Sequence, residues 1–316
     1  MFRTLKPIAL TLAALTLAAG APALAQAQTP AGQAAAPASD SRPLIDGRFT
    51  VEVVGHGPDV ILIPGLASSR DTYADFVRQD AGRHRLHLIQ LAGFAGTPAG
   101  QNRDDAHMIS DSADAIAAYI QARHLRRPAI VGHSLGGLTA LAIAERHPQL
   151  ISRAEIVDSF PFYALVISPQ ATVEQAASFA GPARDQMLQV TSDAARRQAA
   201  GQLAAAMATS PANQQQIAQW SVSSDPGVVA RAFYEDMTTD LRPELSKIGV
   251  PVKVLYAYNS YIAAQSTPEQ YDQRLAAMYA GLKGVKLVRI DDSRHFISLD
   301  QPARFASETE AFLDGR

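Results

Sequence analysis

Three side chains far apart in the chain carry the chemistry of nucleophilic acyl transfer. Gly132-His133-Ser134-Leu135-Gly136 has the spacing G-x-S-x-G. Ala129-Ile130-Val131, directly before it, reads as a short buried strand. Leu135 to Arg146, directly after it, reads as a helix that stops before Pro148. A serine on such a sharp strand-to-helix turn is presented at the top of a sheet, and glycines two residues to either side leave room for the strained backbone. Ser134 is therefore the candidate nucleophile.

A free hydroxyl attacks poorly at neutral pH and needs a base. In turns of this kind the order of parts along the chain is serine, acid, histidine. Beyond the adjacent His133, only His147 and His295 lie at or after Ser134. His147 closes the same helix, roughly 20 Å away at about 1.5 Å per residue, and cannot reach. His295 follows the last strand candidate in Asp291-Asp292-Ser293-Arg294-His295-Phe296, where a loop returns it to the sheet edge. It is the candidate general base.

The acid must orient the imidazole and stabilise its charged form. One usual place for it, the loop after the strand candidate Val252–Tyr256, reads Ala257-Tyr258-Asn259-Ser260 and has no carboxylate. The other is the end of the preceding strand, where Asp158 stands one helix and one strand after Ser134. Asp158 is preferred and Asp272, in a helical setting, is the second choice. Asp291 and Asp292 are too close to His295 in sequence to face its ring squarely. The tetrahedral intermediate also needs donors for its oxyanion. Leu135 N–H, next to the nucleophile, is one candidate. Leu66 N–H, in the loop Ile63-Pro64-Gly65-Leu66-Ala67-Ser68, is the other, with Gly65 permitting close backbone approach.

Other features carry less. His84 and His87 lack a convincing metal spacing. H-E-x-x-H, a Walker loop and G-x-G-x-x-G are absent, so neither a metal nor a cofactor is expected. Gly93-Phe94-Ala95-Gly96 reads as a turn beside the site rather than a phosphate cradle. Trp220, Phe233 and Tyr234 read as packing residues that could also line an acyl pocket.

These residues need a scaffold, and the pattern supplies one. Phe49–Val54 alternates as an edge strand does; Val60–Ile63, Leu86–Ile89, Ala129–Val131, Ala154–Asp158, Val252–Tyr256 and Val285–Ile290 are further strand candidates. Helical segments lie between them at Thr72–Gln79, Asp105–His124 and Leu135–Arg146, with a last one at Pro302–Leu313. Such alternation predicts an α/β fold, a mostly parallel sheet flanked by helices on both faces. Residues 161–245, rich in Ala and Gln and without a strand pattern, interrupt it as a helical cap insertion. The core is then 44–160 together with 246–316.

Arg3 and Lys6, the apolar run Ile8–Ala19 and Ala23-Leu24-Ala25 predict a cleaved signal peptide over 1–25, with Ala25-Gln26-Ala27 as a second cleavage choice. The run is short of the roughly 20 residues that span a bilayer. Export to the periplasm or medium is expected, with no stable membrane anchor after cleavage. Residues 26–43, rich in Ala, Gln, Pro and Ser, read as a disordered linker. With 47% hydrophobic and 18% charged residues, the composition is that of a globular protein. A net charge of −2 points away from nucleic acid as a partner. The absence of cysteine removes disulfides, thiol nucleophiles and thiolate metal sites, leaving stability to the core.

Over about residues 49–314 the chain resembles the α/β-hydrolase superfamily, in its capped serine-hydrolase form. The resemblance rests on Pro64-Gly65-Leu66, Gly132-His133-Ser134-Leu135-Gly136-Gly137, Asp158 and His295-Phe296. It implies the α/β-hydrolase fold and cofactor-free acyl-transfer hydrolysis. Haloalkane dehalogenases are similar in layout, and several place their acid after the strand that here ends at Asp158. They use Asp as nucleophile, so Ser134 argues against their activity. The chain departs from the pattern at Pro64, where many members have His, and at Asn259-Ser260, where many have the triad Asp. The expected function is an exported serine hydrolase acting on a small-molecule carboxylic ester or related acyl substrate through an acyl-enzyme. The alternative is a catalytically inactive binding protein on the same fold.

Overall fold

The computed structural model describes residues 42–104 and 107–315; the expected signal peptide, and the expected linker up to residue 41, lie outside the described residues. Seven strands form one sheet: β1 (Phe49–Gly55), β2 (Asp59–Ile63), β3 (Arg85–Leu91), β4 (Ala129–His133), β5 (Arg153–Val157), β6 (Val252–Tyr258) and β7 (Lys286–Asp291). Their spatial order is β1-β3-β2-β4-β5-β6-β7. β1 is the antiparallel edge strand, with Val51 opposite Ile89, and the other pairings are parallel.

Helices α1 (Ala74–Asp80), α2 (Met108–Ala122) and α3 (Leu135–Arg146) connect the early strands. Between β5 and β6 lie α4 (Ala164–Ile167), α5 (Val173–Gln189), α6 (Asp193–Met207), α7 (Pro211–Ser223) and α8 (Pro226–Thr238). Then come α9 (Ser260–Ala263) and α10 (Pro268–Met278) before β7, and α11 (Ile297–Asp300) and α12 (Pro302–Leu313) after it.

Because successive strand residues point to opposite faces, the apolar strands feed two cores. Ile61, Ile63, Ile89, Ile130, Ile156 and Val254 join the core that contains Ile116, Ile120, Leu138 and Leu141 of α2 and α3. Val60, Leu62, Leu86, Val131, Val157 and Leu255 share the other core with Tyr73, with Phe76 of α1 and with Phe305 of α12. Burial of each such side chain contributes about 1.5–3 kcal/mol.

Local chemistry explains the boundaries. The helix read over Thr72–Gln79 is α1, preceded by a 3-10 turn over Arg70–Tyr73 that Ser69 caps by accepting Asp71 N–H at 3.1 Å. β4 runs on past Val131 because Gly132 and His133 still pair with Ile156 and Val157 of β5. The Ala- and Gln-rich stretch becomes helical with side-chain caps at Thr172, Ser192, Ser210 and Asp225, and with Pro211 and Pro226 in first turns. Its helices return to the sheet edge. Ala204, Ala208, Ile217 and Trp220 form a small core with Ala95 and Phe296, and Phe296 N–H donates to Met207 O at 3.1 Å.

Candidate active site

The chain passes from β2 to β3 on one side of the sheet, then crosses to place β4 on the other side of β2. The carboxyl ends of β2 and β4 thus flank the crevice where open α/β sheets bind ligands. Ile63 and Gly132 are paired there, so the loop after β2 and the turn after β4 lie side by side.

Ser134 occupies that turn with φ 55° and ψ −124°, a conformation costly for a residue with a side chain. Its N–H donates to Val157 O at 3.0 Å, and its carbonyl accepts from Gly137 N–H at 2.7 Å. The motif glycines answer to steric need. A Cβ at 132 would lie 2.1 Å from Gly136 O, and one at 136 would lie 2.3 Å from Ile63 O. Ser134 is 7% exposed.

Asp158 stands just past the end of β5, at φ 44°. Its Oδ1 accepts the Ala257 backbone N–H at 2.9 Å, and its Oδ2 lies 2.7 Å from His295 Nδ1. Since both oxygens accept, Nδ1 carries the proton and Nε2 keeps a lone pair. His133 sits beneath this pair. Its Nε2 donates to the His295 carbonyl at 3.0 Å, and its ring centroid is 4.7 Å from that of His295. Burial, reinforced by the nearby His295, holds His133 well below the ordinary histidine range, so it stays neutral.

The loop after β2 is fixed from below. Gln90 accepts Arg70 N–H at 2.9 Å and donates to Ser68 O at 3.0 Å. Tyr73 donates its hydroxyl to Ile63 O at 2.9 Å. A Cβ at Gly65 would lie 2.8 Å from Ser134 Cβ, so only glycine lets this loop come so near. Among the described residues neither Leu66 N–H nor Leu135 N–H donates a hydrogen bond. The Ser134 hydroxyl likewise has no partner among them; reaction requires it to close on His295 Nε2, as is common for sites without substrate.

Ser134, Asp158, His295, Leu66 and Leu135 therefore gather at one sheet edge. The less favoured candidates, Asp272 as the second choice for the acid among them, lie elsewhere. His147 bonds Asp114 at 2.7 Å, and Asp272 accepts from the Tyr256 hydroxyl and Arg289, each at 2.7 Å. Asp291 pairs with Arg289 at 2.8 Å. Asn259 caps α9 through Tyr261 and Ile262 N–H and ties the His295 loop by donating to Ser293 O at 3.2 Å. His84 bonds Asp80, and His87 bonds Tyr119 and Asp59. Among the described residues no cluster of three His, Asp or Glu side chains suits a metal.

Gly93–Gly96 is a turn docked on the helices after β5, with Gly96 N–H donating to Ser223 O and Asp225 N–H to Gly93 O. Trp220 packs beside Phe296 with ring centroids 6.3 Å apart, whereas Tyr234 lies under Arg184. A cavity of about 460 Å³ opens at the opposite edge of the sheet, lined by Asp59, Arg85, Arg127 and Arg153 among others, at the amino ends of the strands.

Sequence reasoning missed Gln90, the role of His133 and a buried acid, Asp236 of α8. For His133, the position between Gly132 and Ser134 was the available signal. Gln90 and Asp236 carried none, because their roles depend on packing between distant segments.

A sequence model of the alpha/beta hydrolase family matches residues 60–308. A pimeloyl-[acyl-carrier protein] methyl ester esterase from Nitrosomonas europaea is 24% identical over 267 residues, covering 81% of this chain and 96% of that protein. The enzyme of the same name from Chromobacterium violaceum is 37% identical over 112 residues, but that match covers only 35% of this chain and 41% of the relative. An enol-lactonase from Burkholderia xenovorans superposes with a TM-score of 0.66 at 20% identity, covering 85% of this chain and 98% of that one. A thermophilic esterase from Thermogutta terrifontis gives 0.67 at 21% identity, covering 84% and 93%. At these identities the two structures show a shared fold.

Proposed function

Because the chain belongs to the alpha/beta hydrolase family, we propose that it is a serine ester hydrolase working through an acyl-enzyme, with Ser134, His295 and Asp158 as its triad. The carrying observation is the Asp158–His295 bond of 2.7 Å beside the strained Ser134 turn. In the first half-reaction His295 Nε2 takes the hydroxyl proton as Ser134 Oγ attacks the ester carbonyl. Leu66 and Leu135 N–H hold the developing oxyanion. His295 then returns the proton to the departing alcohol. Water, deprotonated by the same nitrogen, releases the acid and regenerates Ser134.

The names of the relatives, methyl ester esterases, favour a carboxylic ester as the substrate. The amino-terminal charges, apolar run and Ala23-Leu24-Ala25 support export, and no helix among the described residues is long and apolar enough to cross a membrane. The inactive-binding alternative rested on the missing acid after β6, and the Asp158–His295 bond at the end of β5 supports the catalytic reading over it.

A fluorophosphonate probe tests the reading. It should label the wild-type protein at one residue and fail to label Ser134→Ala, and the labelled protein should lose its activity on nitrophenyl esters. A folded wild-type protein that takes no label and cleaves no ester would overturn the proposal in favour of a binding role.

A further inference from the structure

The cavity at the amino ends of the strands takes no part in the proposed chemistry, which sits at their carboxyl ends. The first residues of β2, β3 and β5 line it: Asp59, Arg85 and Arg153. The connection from α2 to β4 adds Arg126 and Arg127. Four arginines thus share the cavity with one carboxylate, in a chain whose net charge is −2. That carboxylate is already engaged. Asp59 accepts from Arg85 at 2.5 and 3.0 Å and lies 2.9 Å from His87 Nε2.

Among the described residues the other three arginines have no carboxylate partner. Arg127 Nε donates to Ile151 O at 3.1 Å, and Arg153 Nη1 donates to Phe312 O with its guanidinium 5.5 Å from the centre of that ring. Arg126 makes no hydrogen bond or ion pair among them. Arg127 and Arg153 are therefore held by neutral carbonyls, each spending one donor and keeping the rest. Elsewhere the chain gives its arginines acids: Arg83 meets Glu310 and Asp314, and Arg289 meets Asp272 and Asp291. Like charges gathered without a counter-charge repel one another. The turn that presents Arg127 also places it at φ 50°, a conformation costly for a residue with a side chain. The cluster is short of an anion. A monocarboxylate would balance one guanidinium, whereas a phosphate dianion offers charge and acceptor oxygens to more than one. Ser152, on the same wall, adds a neutral hydroxyl donor. The volume of about 460 Å³ falls within the roughly 300–1,000 Å³ of small-ligand sites.

We propose that this cavity is a second ligand site, in which Arg126, Arg127 and Arg153 receive a phosphate dianion, free or carried by a small organic body. It is separate from Ser134 and His295 and does not depend on the hydrolase reading.

Titration calorimetry at constant ionic strength tests it on the wild-type chain, with inorganic phosphate, glycerol 3-phosphate and glycerol as probes. Both phosphates should bind at one site with dissociation constants of about 1 mM or tighter, and glycerol should not bind. Tighter binding of glycerol 3-phosphate assigns a phosphomonoester; equal binding assigns free phosphate. No saturation by either phosphate below about 10 mM overturns the proposal. Arg126→Ala removes an exposed side chain without a partner, so the fold should survive, as a melting curve will check. It should weaken phosphate binding roughly tenfold or more, the range of a hydrogen bond to a charged group. Arg197→Ala, on α6 outside the cavity, should leave binding unchanged. Equal effects of the two substitutions would show diffuse attraction to surface charge and overturn the site. Protein labelled at Ser134 by a fluorophosphonate should bind phosphate as the unlabelled protein does. Loss of binding on labelling would put the anion at the triad and likewise overturn the proposal. Protein that takes no label yet binds phosphate through Arg126 sinks the hydrolase reading and leaves this site standing.

Discussion

Replacing Asp158 with Asn changes one oxygen for an NH2 group, and the structure dictates which way the amide must turn. Oδ1 of Asp158 accepts the Ala257 N–H at 2.9 Å, so the amide oxygen has to stay on that side. The NH2 then faces His295 Nδ1, where Oδ2 now lies at 2.7 Å. Two donors cannot share that contact. His295 must offer its lone pair at Nδ1 and carry its proton on Nε2, the tautomer that cannot accept a proton from Ser134. The substitution also removes the negative charge that stabilises the imidazolium. At about 4 Å between charge centres and an effective dielectric of about 20, that attraction is roughly 4 kcal/mol, or about a thousandfold in rate. With the tautomer penalty added, kcat should fall by about 10³–10⁴. KM should change little, because Asp158 touches His295 and a backbone amide rather than the substrate. Because the Ala257 bond survives, the variant should melt close to wild type. Steady-state kinetics on a short nitrophenyl ester, with thermal melting as the folding control and Asp272→Asn as the comparison, reads all of this. Retention of more than about a tenth of wild-type kcat by a folded Asp158→Asn, or a larger loss in Asp272→Asn, would refute the assignment.

Two further predictions concern buried charge. Lys253 Nζ lies 2.9 Å from Glu155 Oε2 with both side chains almost fully buried, so Lys253→Met strands a carboxylate whose burial already raises its pKa. It should cost roughly 3–5 kcal/mol and lower Tm by several degrees in scanning calorimetry, with Glu155→Gln recovering much of the loss in the double variant. Asp236 adds a pH effect of defined sign. Its carboxyl has the ordinary aspartate value of 3.8 in the unfolded chain and is pushed up to about 7 by burial in the folded one. Between about pH 4 and 7 the unfolded chain has released this proton and the native state still holds it, so stability falls as pH rises through that window and levels off above it. The shift corresponds to roughly 4 kcal/mol at most. Asp236→Asn should match wild type near pH 4 and be the more stable of the two at pH 8 in urea denaturation; a constant difference across that range would contradict the argument.

The amino-acid sequence by itself determined the order and type of most core elements. Strand hydrophobicity and helix caps are local, so β2, α3 and α12 could be read from their own residues. It also singled out the residues proposed as nucleophile and base. Ser134 sits in a turn whose glycines are demanded by contacts within the motif and the adjoining strand end, and His295 was the only later histidine within reach. The acid was legible only as a preference, because Asp158 and Asp272 are chemically alike. Their separation came from where the chain carried them: Asp158 past the end of β5 onto His295, Asp272 along α10 onto Tyr256 and Arg289. The support of Gln90 beneath the loop after β2 and the burial of Asp236 in α8 belonged wholly to the tertiary structure. A hydrogen bond across segments, or the lack of one, depends on distances that no single segment encodes.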